Sequence, residues 1–227
     1  MNTSVRNLPR RWFITSAAGT AGGAVLLGAG SATPAAATPL VEGATWNGKT
    51  SANGWPVIGK GTRHAIEGSP ASVTLADGDA AIVLLHVARR FHYEVDALRV
   101  GDVTGHSTNP VVRKDYESNY LSGTAIAIRP GAYPPGITGG LFPHELIVIR
   151  DILTELDGTV SWGGDEATAP KESHFQIALN PGHPKLKRVA AKLRGWNEKP
   201  GTGAGATDAF APARRKAART FKQRAVN

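Results

Sequence analysis

Cysteine is absent from the 227-residue chain. That excludes a disulfide framework, a thiolate metal site and a cysteine nucleophile. The missing motifs exclude further chemistries. No Gly-rich phosphate loop and no G-x-S-x-G nucleophile elbow occur, and downstream of residue 37 there is no Ser-x-x-Lys. The last absence argues against a serine-type penicillin-binding enzyme. His144-Glu145 opens like the zinc-protease motif H-E-x-x-H, but Val148 stands where the second histidine belongs, so that motif is broken.

Acidic residues are scarce at both ends. Residues 1–37 carry three arginines and no acid, and residues 199–227 carry seven Lys or Arg against Asp208 alone. Of the 26 basic and 18 acidic residues, the body between keeps 16 and 17, so the net charge of +8 belongs to the termini. A nucleic-acid-binding domain carries its basic stripe on the folded part, and nucleic acid is not an expected partner.

Four segments follow from composition. Arg10-Arg11-Trp12-Phe13-Ile14 and the mild apolar run Ala17 to Gly30 read as a twin-arginine signal, with Ala35-Ala36-Ala37 as its cleavage site. The apolar run is short and rich in Gly, Ala and Thr, which disfavours a membrane anchor. The expected product is therefore exported, meeting the membrane only in transit. Residues 38–62 form a Gly-, Asn- and Pro-rich loop segment with Trp46 and Trp55 embedded; a loop tryptophan there is expected to plug the core rather than stack on a sugar. Residues 63–198 carry the domain, and 199–227 form a basic tail after a flexible Gly/Thr linker. The tail reads equally as disorder or as a transient helix on a polyanion.

Within the domain, Ala71–Ala76 alternates as a strand. A helix follows with Leu84, Val87, Ala88, Phe91 and Val95 on one face. Glu94–Val103 and Thr124–Ile128 read as strands. A second helix spans about Pro143 to Leu156, strands are expected over 159–162 and 174–179, and a last helix runs from Pro184 to Gly195. The class is α+β, with a small mixed or antiparallel sheet packed by about three helices.

Three motifs carry a resemblance: Ser118-Asn119-Tyr120-Leu121-Ser122-Gly123-Thr124-Ala125-Ile126-Ala127-Ile128, Trp162-Gly163-Gly164-Asp165, and His174-Phe175-Gln176-Ile177. Together they resemble the bacterial D-Ala-D-Ala carboxypeptidase and dipeptidase family of zinc peptidases, with its hedgehog-type fold, over about Asn53 to Leu179. The resemblance implies zinc held by two histidines and an aspartate, with an acid as general base. Here Tyr120 stands at the first histidine, Ala127 at the aspartate and Lys171 at the base, with Glu172 one residue later. His174 alone survives as a metal ligand. A catalytic zinc takes three protein ligands and an open position, which one histidine does not supply.

The resemblance therefore implies an exported, cell-wall-associated peptidase-like domain that binds without catalysis and needs no cofactor. Its expected partner is a peptidoglycan stem peptide or an anionic wall polymer. Tyr120, Trp162, Asp165 and Arg113 are its expected binding residues, and for the arginine that the resemblance sets against a carboxylate the candidates are Arg113 and Arg99. The alternative is an active zinc peptidase with Glu172 as its base and a rearranged site around His174. That site would draw on His106, Asp115, Glu117, Asp165 or Glu166.

Overall fold

The computed structural model describes residues 43–199 and 201–226; the expected signal and its cleavage site lie outside them. In chain order the elements are β1 (Ala44–Thr45), β2 (Thr62–Ala65), β3 (Ser72–Leu75), α1 (Asp79–Glu94), β4 (Val103–Thr104), β5 (Val111–Val112), β6 (Ala125–Ile128), α2 (Pro143–Glu155), β7 (Val160–Trp162), β8 (His174–Ile177), α3 (Pro184–Asn197) and α4 (Pro212–Val226). Single 3-10 segments at Asp115–Tyr120 and Gly163–Asp165 precede the residues that matter most. The α+β class stands, and the described residues form a purely antiparallel four-stranded sheet, two small strand pairs and four α-helices.

The sheet runs in the order β4-β6-β8-β7. Side chains alternate across a strand, and the two central strands alternate small or polar residues with bulky apolar ones. Ala127 lies opposite His174 and Ala125 opposite Gln176. Ile126, Ile128, Phe175 and Ile177 therefore share the other face, and all four are fully buried in the core. Beneath that face lies α1, whose Leu84, Val87, Ala88 and Phe91 are buried as their spacing predicts. Each large apolar side chain buried there contributes about 1.5–3 kcal/mol. Two small pairs, β1 with β5 and β2 with β3, complete the strands.

Three local expectations are corrected. Glu94–Val103 is no strand up to Val103. Its backbone groups are taken by side chains: the Leu98 N–H donates to His92 Nδ1 at 2.9 Å, and Arg129 holds the Ala97 carbonyl and the Asp96 and Asp102 carboxylates. α3 runs through Gly195 to Asn197. The basic tail contains α4, which is docked on α2 rather than free.

That docking has an ionic centre. The Arg214 guanidinium grips both oxygens of Asp151 at 2.8 and 2.7 Å and Glu155 at 2.8 Å. From the other side the fully buried Arg90 reaches Asp151 at 2.8 Å and Glu155 at 3.3 Å, and also pairs with Glu94. His86 Nε2 donates to Glu155 at 2.7 Å. Burial pushes the Glu155 carboxyl up, but the His86 hydrogen bond and the Arg90 charge outweigh it and hold the group at about 2. Burial lowers His86 itself, so it serves as a neutral donor. Breaking a buried pair of this kind costs more than forming it gains. α4 is therefore fixed by charges that α1 and α2 have already buried.

Candidate functional site

The alanines of β6 make room on the sheet face opposite the core. Residues directly opposite on antiparallel strands have Cβ atoms about 4.5–5.5 Å apart, so a one-carbon side chain at Ala127 leaves space for the His174 ring. The 3-10 segment Asp115–Tyr120 lies over that space and delivers Tyr116, Asn119 and Tyr120 to it. A sharp return into β6 is needed next, and Gly123 provides it at φ 66°. Its carbonyl accepts the Ala76 N–H at 3.0 Å, and a Cβ there would lie 2.4 Å from the same nitrogen. Only glycine fits this approach.

His174 is 1 % exposed and both ring nitrogens are engaged. Nδ1 lies 2.7 Å from the Tyr120 hydroxyl, and Nε2 lies 2.8 Å from Gln176 Oε1. The partners fix the tautomer. Gln176 Oε1 also receives Asn119 Nδ2 at 2.6 Å, so it accepts, and His174 carries its proton on Nε2. Nδ1 is then an acceptor, and the Tyr120 O–H donates to it. Burial pushes His174 down to about 4; the Gln176 bond opposes this and the Lys171 charge adds to it. The Tyr120 hydroxyl is raised well above its ordinary value, by burial first and then by Glu117 and Tyr116. Both groups are neutral across the physiological range.

The network continues into the loop before β2. The Asn119 side-chain oxygen accepts the Asn53 N–H at 3.1 Å, and Asn53 Nδ2 donates to Thr124 Oγ1 and to the Ile177 carbonyl. Ser51 and Ser122 join through their hydroxyls at 2.8 Å. Trp55 plugs the core beside them, its indole N–H on the Leu179 carbonyl at 2.8 Å. Buried side-chain networks of this sort are stable only when fully satisfied, and the His174 network meets that condition.

Around it, Lys171 Nζ pairs with Glu117 at 2.9 Å and sits 5.1 Å from the Tyr120 ring centre. Tyr116 packs its ring 4.8 Å from that of His174 and donates to the Ala169 carbonyl. Burial pushes its hydroxyl up to about 12. Arg113 is exposed, and its backbone N–H donates to Glu117 Oε2.

The other candidate residues serve different ends. Glu172 accepts the Gly139 and Gly140 N–H groups at 2.7 and 2.8 Å and so clamps the loop after β6. Trp162 is buried, with its indole on the Glu172 carbonyl at 2.7 Å and the Arg150 guanidinium 4.9 Å above its ring. Asp165 holds both terminal nitrogens of Arg150 at 2.5 Å. Sequence reasoning brings His174, Tyr120 and Ala127 together by alignment, and they do meet. It misses Asn119, Gln176 and Asn53 as partners, whose only signal is their amide side chains beside the motif positions.

These donors do not fit a zinc ion. Tyr120 and Gln176 spend the two imidazole nitrogens, Ala127 offers nothing, and Glu117, Asp165 and Glu172 are paired elsewhere. Among the described residues, no three His, Asp or Glu side chains gather where a metal could sit. Comparison with protein-family models, with curated proteins and with solved structures finds no match to this chain. Among the described residues no helix is long and apolar enough to cross a membrane.

Proposed function

We propose that this chain is an exported, cell-wall-associated binding domain on a D-Ala-D-Ala carboxypeptidase-like scaffold with its metal cage replaced by a hydrogen-bonded lock. One observation carries the reading. Of the three positions where the resemblance puts metal ligands, His174 lies 54 residues beyond Tyr120 in the sequence, yet Tyr120 bonds it at 2.7 Å and Ala127 is its cross-strand partner. Random similarity gives no reason for such convergence. Amide hydrolysis needs an activated water and a stabilised oxyanion, and a neutral histidine with both nitrogens spent supplies neither. The partner on this reading is a peptidoglycan stem peptide, its terminal carboxylate met by Arg113 at the exposed rim beside Glu117.

The test is retention of the purified chain on peptidoglycan sacculi, run beside an assay for D-alanine release from a stem pentapeptide in excess zinc. The proposal predicts retention, weakened by Arg113→Ala, with no release. Zinc-dependent release, or passage of the chain without retention, overturns it.

A further inference from the structure

A second feature lies on another part of the fold and does not rest on the reading of the His174 region. Where α4 docks on α2, the two helices leave an open cavity of about 280 Å³ between them. Its wall is apolar, formed by Leu146 and Ile147 of α2 with Ala218 of α4, and its rim is cationic, formed by Arg215, Arg219 and Lys222. These three recur at i, i+4 and i+7, which places them along one face of α4. All three are exposed and, among the described residues, none has an ion-pair partner. Arg150, also at the cavity, is neutralised by Asp165.

The contrast with Arg214 is informative. One cation of α4 is spent on docking the helix, and Arg215, Lys216, Arg219, Lys222 and Arg224 are left without a single acid on the helix to balance them. Five uncompensated cations on fifteen residues repel one another. An anionic ligand relieves that repulsion, and the apolar floor specifies that the ligand also carries hydrocarbon. Two exposed aromatics, Phe142 at 49 % and Phe210 at 48 %, each adjoin a cavity residue, Pro143 and Ala209. Basic residues beside an apolar, aromatic-flanked surface are the composition of a helix that lies at a lipid interface.

We propose that the groove between α2 and α4 binds an anionic phospholipid. Its phosphate sits on Arg215, Arg219 and Lys222, and the start of its acyl chain lies on Leu146, Ile147 and Ala218. An acidic peptide or a wall polymer would meet the cations but leave the floor uncovered, and these are the competing occupants.

The experiment uses the full chain and two variants, Arg215→Gln with Arg219→Gln at the rim and Ile147→Ser at the floor, so that residues 1–42 contribute equally throughout. Two readouts are co-sedimentation with phosphatidylglycerol/phosphatidylcholine vesicles against pure phosphatidylcholine, and binding of monomeric short-chain phosphatidylglycerol against glycerol phosphate. The expected results are preference for the anionic vesicles, a loss of roughly fivefold per cation removed, and short-chain lipid binding at least about tenfold tighter than glycerol phosphate, a preference removed by Ile147→Ser. If thermal unfolding shows that Ile147→Ser does not fold, Ala218→Leu, which fills the groove, takes its place with the same expected loss. Equal binding of glycerol phosphate and short-chain lipid, tighter binding of poly-glutamate, or equal sedimentation with neutral vesicles overturns the proposal.

Discussion

The hydroxyl of Tyr120 donates to Nδ1 of His174 across 2.7 Å, and the opposite nitrogen of the same ring is held by Gln176. An imidazole so placed has no lone pair to offer a metal or a substrate. The consequences can be measured.

Tyr120→Phe keeps the ring and deletes one hydrogen bond, leaving a buried acceptor on His174 unsatisfied. The expected cost is about 1–3 kcal/mol, the usual penalty for stranding a buried polar atom, read from urea unfolding midpoints at constant slope. An unchanged midpoint would show that the hydroxyl does not serve His174.

Protonation gives a second consequence. His174 is held at about 4 in the fold against an ordinary value of 6.5. Between those values the unfolded chain binds the proton and the folded one does not, so stability rises with pH. The contribution is complete above about pH 6.5 and is lost as pH falls toward 4, amounting to about 3 kcal/mol. Lowering of His86 acts in the same sense. The direct check is the His174 ring signal by NMR, which should stay in the neutral form down to about pH 5. A midpoint near 6.5 would mean that the ring is reached by water.

Glu172 stands next to the position of a general base, yet its carboxylate is committed to two backbone N–H groups. Glu172→Ala should speed amide exchange through residues 129–140, beginning with Gly139 and Gly140, because their acceptor is removed. Exchange that stays protected there would assign Glu172 another role.

Arg214→Ala withdraws the fork that joins α4 to Asp151 and Glu155 while leaving Arg90 and His86 in place. Hydrogen exchange over 212–226 should rise and become salt-sensitive, with 79–94 unchanged. Uniform protection in both helices would show that apolar contact alone docks α4.

Much of this was legible in the sequence, and the limits have physical causes. The alternation Ala-Ile-Ala-Ile announces a strand with one crowded and one open face, and the apolar spacing from Leu84 to Phe91 announces the core helix. Thr62–Ala65 escapes notice because Thr-Arg-His-Ala carries no apolar stripe; it is a strand only through its register with Ser72–Leu75. Asp151 and Glu155 look like solvent-facing acids on α2, and only the fold reveals Arg90 and Arg214 on either side of them. α4 was therefore unreadable as a docked element. The motif alignment places His174 beside Tyr120 and Ala127, but whether two amides would close on the ring depends on side-chain geometry that spacing does not encode.

The most direct measurement is metal content after folding in zinc and exhaustive dialysis, for the native chain and for Tyr120→His combined with Ala127→Asp. The native chain should retain no stoichiometric zinc, whereas the double variant, with His174 and an aspartate on one sheet face and a second histidine reaching them from the 3-10 segment above it, should hold one ion per chain. Lys171 still occupies the base position, so activity need not return. Stoichiometric zinc in the native chain, or a folded double variant that stays metal-free, contradicts the account.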